Sequence, residues 1–112
     1  MLAIARAVLR HPRLLMLDEP TLGLGPLMVR HVYDALSRIN GFGTAILLVE
    51  QNAKMALGIA NFAYVMESGR VVLEGTADEL KQNEEVRKAY FGLKEDSHAT
   101  MGWRLYRERR SW

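Results

Sequence analysis

The chain has no cysteine in its 112 residues. That excludes disulfides and thiolate metal ligands, and it suits a reducing compartment. No apolar run approaches the roughly 20 residues that a membrane-spanning helix needs. The N-terminus, Met1-Leu2-Ala3-Ile4-Ala5-Arg6, lacks the basic leader and long apolar stretch of a signal peptide. Neither sign of charge dominates: 15 Lys and Arg against 13 Asp and Glu leave a net charge of +2. So even a balance gives no argument for nucleic acid. The three histidines, His11, His31 and His98, are scattered and make no metal site. Internal repeats and low-complexity tracts are missing as well. The expectation is a cytosolic domain, or one held at a membrane only through a partner.

Hydrophobic residues make up 49% of the chain, enough for one small domain with a core. Apolar residues at Met1, Ala5, Val8 and Leu9 have helical spacing, and Arg10-His11-Pro12 stops that helix. The helix starts at residue 1 with no capping residue before it, which suggests a chain that opens mid-domain. Leu14–Leu17 is a continuous apolar run, as expected for a strand covered on both faces. Leu22-Gly23-Leu24-Gly25-Pro26 reads as a loop, with Pro26 opening a helix to about Asn40. Met28, Val32, Ala35, Leu36 and Ile39 are its expected inner face, and Gly41-Phe42-Gly43 its end.

Thr44–Val49 is a second apolar strand, and 51–60 reads as a short helix. Phe62–Met66 and Val71–Leu73 flank Glu67-Ser68-Gly69-Arg70, a hairpin turn. Thr76 and Glu79 have the spacing of a capping box, and Asn83 caps a last helix carrying Val86, Ala89, Tyr90 and Phe91. Residues 93–112 form a polar, basic tail in which the apolar residues show no period. Its aromatic and basic residues, Trp103 to Trp112, read as a solvated tail or an out-of-frame read-through rather than a lipid or nucleic-acid surface. Strands alternating with helices indicate an α/β fold with a parallel sheet.

Asp18 and Glu19 stand at the carboxyl end of the first strand, where open α/β sheets bind ligands. Taken alone, the pattern fits a strand ending in an acidic turn equally well. A Mg²⁺ ion is one reason to place carboxylates there, since it takes one or two carboxylates together with water and phosphate oxygens. An adjacent carboxylate can then orient or deprotonate a water.

Asp18-Glu19-Pro20-Thr21 is followed by Gly23-Leu24-Gly25-Pro26, then by Leu47-Leu48-Val49-Glu50-Gln51-Asn52, then by Met66-Glu67-Ser68-Gly69-Arg70 with Gly75-Thr76. In this order the segments resemble the C-terminal part of an ABC-transporter ATPase domain, a P-loop NTPase fold, over residues 1–92. By that resemblance Leu14–Glu19 is the Walker B strand. Leu22–Pro26 falls at the D-loop, and Val49–Asn52 at the switch loop that closes on the γ-phosphate. Residues 1–7 resemble the helix directly after the signature motif. Val49-Glu50-Gln51-Asn52-Ala53 and Val86-Arg87-Lys88-Ala89-Tyr90-Phe91-Gly92 look most like the branched-chain amino acid importer ATPase; subunits serving urea or short amides are close to it.

The resemblance implies ATP and Mg²⁺ as cofactors. Asp18 would hold Mg²⁺, Glu19 would orient or deprotonate the attacking water, and Gln51 would sense the γ-phosphate. It implies a second ATPase subunit in a nucleotide-sandwich dimer, membrane-spanning permease subunits, no nucleic acid, and a place on the cytoplasmic face of the membrane through the permease. Three departures stand out. Nothing in the sequence fits the phosphate loop G-x-x-x-x-G-K-[ST], and the glutamine loop and signature are missing too. Gln51 stands where most of the family has histidine, and glutamine cannot carry a proton at neutral pH. Gly25 and Leu22 replace the usual D-loop aspartate and serine. The family's phosphate-loop strand lies between the second and third strands found here, so its loss leaves two strand edges unpaired. The chain alone is therefore expected to be marginally stable and to bind ATP poorly. The alternative is a non-catalytic interaction module, or a gene remnant unable to bind ATP by itself.

Overall fold

A computed structural model describes residues 2–90, so Phe91, the boundary at residue 92 and the tail lie outside the described residues. Nine elements follow one another: α1 (Leu2–Val8), β1 (Leu14–Asp18), α2 (Pro26–Gly41), β2 (Ala45–Val49), α3 (Ala53–Ile59), β3 (Phe62–Glu67), β4 (Arg70–Thr76), α4 (Ala77–Gln82) and α5 (Glu84–Tyr90). They fall into two units that divide after Gln51.

The first unit is a helix followed by a β-α-β element. Strands β1 and β2 are parallel and in register from Leu14 opposite Ala45 to Asp18 opposite Val49. Helix α2 connects them and lies against β2. Pro26 occupies its first turn, where the missing N–H leaves no bond unmade. At the other end the Phe42 N–H donates to the Arg38 and Ile39 carbonyls, and Gly43, at φ +99°, leads into β2. The Thr44 hydroxyl donates to the Pro12 carbonyl at 3.2 Å, and the Ala45 N–H to the Arg13 carbonyl at 2.9 Å, so the two strand entries are pinned together.

Burial corrects three expectations in this unit. The buried residue of α1 is Ile4, with Ala7 and Val8 half-buried behind it, while Ala5 and Leu9 are exposed. Positions i, i+3 and i+4 share one helix face, and it is the face led by Ile4 that finds packing partners. On α2 the buried residues are Val32, Tyr33 and Leu36; Met28 is exposed, so the inner stripe is rotated toward Tyr33. Strand β1 is covered on one face only. Leu15 is buried and Leu17 half-buried, but Leu14 and Met16 are exposed, as are Leu47 and Val49 beside them on β2. One helix layer covers one side of a strand pair, and successive side chains point to opposite sides.

The second unit is a hairpin backed by three short helices. Strands β3 and β4 are antiparallel, from Phe62 opposite Thr76 to Glu67 opposite Arg70, with a register shift at Val65/Met66. Ser68 and Gly69 both have positive φ, 48° and 75°. That pair of conformations makes the tight turn whose twist matches the strands. Strand β4 extends past the expected Leu73 to Thr76 because Glu74 and Gly75 pair with Tyr64 and Ala63. Helix α3 starts at Ala53 rather than residue 51, because the Asn52 side chain caps it, accepting from the Met55 N–H at 3.2 Å.

Thr76 and Glu79 form the expected capping box: the Glu79 N–H donates to the Thr76 hydroxyl at 3.2 Å, and the Thr76 N–H to the Glu79 carboxylate at 3.0 Å. Asn83 accepts from the Val86 N–H at 3.0 Å and so caps α5. The core of this unit is Leu57, Val72, Ala77, Leu80 and Val86, with Ala63, Val65 and Leu73 packed against it. On α5 Val86 is buried, whereas Ala89 and Tyr90 are exposed.

Candidate functional site

The carboxyl ends of β1 and β2 lie side by side in the first unit, and the three expected site residues are at those ends. Asp18 is the last residue of β1 and is exposed. Glu19 follows in the left-handed region, at φ 46°, and is half-buried. A side chain other than glycine holds that conformation only at a cost, so the surrounding bonds must fix it. They do: the Glu19 N–H donates to the Val49 carbonyl at 2.8 Å, adding one rung beyond the last strand pair. The Leu22 N–H then donates back to the Glu19 carbonyl at 3.1 Å, and the Leu24 N–H to the Thr21 carbonyl at 3.1 Å. These bonds turn the chain sharply away from the sheet. Gln51 is exposed, two residues beyond the end of β2.

Three further residues belong to this place and were not singled out by sequence. The Thr21 hydroxyl donates to Glu50 Oε1 at 2.6 Å, across 29 positions of chain. Tyr33, on the inner face of α2, is only 3% exposed. Its hydroxyl makes no hydrogen bond of full geometry, and the charged group near it is the Glu50 carboxylate. Burial first, and the charge and hydrogen-bonding pull of Glu50 second, hold the Tyr33 phenol above its usual range. Tyr33 was legible in principle, since it stands at i+4 from Val29 and i−3 from Leu36 on an apolar helix face. Nothing local marks the pairing of Thr21 with Glu50.

The donor set at the strand ends is hard oxygen. Asp18 presents an exposed carboxylate, which fits an ion that keeps most of its waters and binds one or two carboxylates. Among the described residues no group of three or more His, Cys, Asp or Glu side chains is arranged to cage a metal ion. The exposed Asp18 carboxylate fits Mg²⁺ that brings most of its ligands with it as water or other oxygen.

The Pseudomonas aeruginosa protein named high-affinity branched-chain amino acid transport ATP-binding protein BraG is 46% identical over 92 residues, 82% of this chain and 40% of that one. Such identity over four-fifths of the chain decides the assignment. The chain is part of an ABC ATPase domain. A probable branched-chain amino acid transport ATP-binding protein, LivF of Archaeoglobus fulgidus, is 43% identical over 94 residues, covering 83% of this chain and 40% of that protein. The solved structure of cbiO1 from Clostridium perfringens, part of the ABC transporter complex cbiONQ, superimposes with a TM-score of 0.64 at 29% identity, over 94% of this chain and 40% of that one. No protein-family profile matches the chain. The ABC ATPase segment seen here thus spans about 40% of the length of the curated relatives it matches. Among its described residues no helix is long and apolar enough to cross a membrane.

Proposed function

We propose that this ABC ATPase segment supplies the hydrolytic end of a nucleotide site in the ATP-binding subunit of an importer for branched-chain amino acids. The observation that carries the reading is the placement of Asp18 and Glu19 at one strand end, hydrogen-bonded to the neighbouring strand whose extension holds Gln51. The names of the relatives support the substrate class. In this reading Asp18 would hold Mg²⁺, which would neutralise phosphate charge. Glu19 orients or deprotonates the attacking water, and Gln51 donates its amide N–H to a γ-phosphate oxygen without taking up a proton. The phosphates themselves need a cradle of backbone N–H groups, which no stretch of this sequence provides. The partners in this reading are that cradle, a second ATPase subunit and membrane-spanning permease subunits at the cytoplasmic face.

A second reading takes the segment as a non-catalytic docking module, and the exposed Leu14, Met16, Leu47 and Val49 on β1 and β2 favour it. One experiment separates the two. Residues 2–90 replace the corresponding segment of the Pseudomonas aeruginosa relative, giving a joined domain, and calorimetry and phosphate release are measured with MgATP. The joined domain is expected to bind and hydrolyse MgATP, while the chain alone binds none measurably. A folded joined domain without turnover supports the module. Tight, Mg-dependent ATP binding by the chain alone overturns the dependence on an external cradle.

A further inference from the structure

We infer that Glu50 is a positioning residue: by accepting the hydrogen bond of Thr21 it locks the turn that carries Glu19 onto the segment that carries Gln51. This rests on the roles of Glu19 and Gln51 proposed above, and it assigns a task to two side chains that those roles leave unused.

Two bonds join the end of β1 to the end of β2. The backbone bond, Glu19 N–H to Val49 carbonyl at 2.8 Å, fixes the start of the turn. The turn beyond it is held by its own bonds, from the Leu22 N–H to the Glu19 carbonyl and from the Leu24 N–H to the Thr21 carbonyl, and neither of these reaches β2. The side-chain bond from Thr21 to Glu50, at 2.6 Å, lies two residues beyond Glu19 on one strand's extension and one residue beyond Val49 on the other, and it ties the turn as a unit to the end of β2. Together they make a small ring through Glu19, Pro20, Thr21, Glu50 and Val49. Glu19 lies inside the ring, and Gln51 is attached directly to it. A shift of the Gln51 segment therefore pulls Thr21 and turns Glu19.

The chemistry suits a lock. A carboxylate only accepts, a threonine hydroxyl donates, and a hydroxyl bonded to an ionised acceptor is shorter and stronger than a neutral pair. Both residues are half-buried, so water competes for the bond less than it does at an open surface. The buried Tyr33 phenol feels the charge of the same carboxylate, so Glu50 is shared between the turn and helix α2. Glu50 lies beyond the last paired residue of β2, so the sheet ladder does not require a carboxylate there.

The test uses the joined domain with Thr21→Val, Thr21→Ser, Glu50→Ala and the Thr21→Val/Glu50→Ala double variant, reading kcat and KM for MgATP separately. Thr21→Val and Glu50→Ala are each expected to lower kcat by about tenfold, the loss of one charge-assisted hydrogen bond, with KM nearly unchanged. Thr21→Ser restores kcat. The double variant is no slower than either single one, because both remove the same bond. Wild-type kcat in both single variants, or losses that multiply in the double, overturns the inference. Glu19→Gln in the same domain keeps the two claims apart. If Glu19→Gln is inactive while Thr21→Val is normal, only the lock fails; if Glu19→Gln turns over normally, the underlying site assignment fails. Should Thr21→Val not fold in the joined domain, amide exchange in the 112-residue chain decides. Faster exchange of the Glu19 and Leu22 amides relative to Met16 supports the lock, and unchanged exchange overturns it.

Discussion

Thr21 and Glu50 stand 29 positions apart in sequence, and the hydroxyl of one donates to the carboxylate of the other at 2.6 Å. The contact closes the carboxyl ends of two parallel strands over the buried Tyr33. Thr21 and Glu50 satisfy each other, while the buried Tyr33 hydroxyl near the same carboxylate makes no hydrogen bond of full geometry.

Tyr33 gives the first prediction, a pH dependence. Its phenol is held above the usual range by burial and then by Glu50. Below about pH 10 the folded and unfolded chains both keep the phenolic proton, so its contribution to stability is complete. Above that, the unfolded chain releases the proton while the folded chain retains it. Stability is then lost with rising pH, by up to about 1.4 kcal/mol per pH unit, until the folded group itself titrates. Denaturant unfolding of the wild type and Tyr33→Phe from about pH 9 to about pH 11 is expected to show a steeper decline in the wild type. The comparison cancels the lysines and the other tyrosines, including Tyr90, whose phenol is also raised by burial and by Glu67.

The second prediction concerns the capping box of α4. Thr76→Ala removes the acceptor of the Glu79 N–H and leaves that donor to water. The expected cost is about 1 kcal/mol, read as a lower thermal midpoint. Thr76→Ser keeps the acceptor and recovers most of the loss.

The hairpin turn gives the third. Ser68 and Gly69 both have positive φ, and Asn-Gly is the pair best suited to that turn. Ser68→Asn is expected to stabilise the chain by a few tenths of a kcal/mol, and Gly69→Ala to destabilise it by about 1 kcal/mol. A denaturant titration of the three chains gives the order directly.

How much of this was legible in the sequence follows the range of the forces involved. The hairpin turn, the Thr76–Glu79 box, the Asn83 cap and the strand ending at Asp18 are local patterns, so they read correctly from neighbouring residues. Asp18, Glu19 and Gln51 lie at or just beyond the ends of paired strands. Their chemical roles come from the ABC resemblance and not from the geometry. Faces read less well. Met28 satisfies helical periodicity yet is exposed, while Tyr33, a polar aromatic, turns inward. Ile4 displaced Ala5 for the same reason: period fixes which residues share a face, and tertiary packing chooses the face. Strands β1 and β2 read as covered on both sides because their apolar runs are continuous. Residues 2–90 cover one side, and Leu14, Met16, Leu47 and Val49 stay exposed on the other. The bond between Thr21 and Glu50 was out of reach, because it depends on a pairing register that no local window contains.

The central claim is that Glu19 performs the water-activating step of an ATPase. Its most direct test is steady-state MgATP hydrolysis, with equilibrium MgATP binding measured in parallel, by the joined domain and its Glu19→Gln variant. The account predicts a fall in turnover of at least about a hundredfold, the scale of losing a general base, with affinity for MgATP nearly unchanged. Turnover in Glu19→Gln equal to that of the parent domain contradicts it.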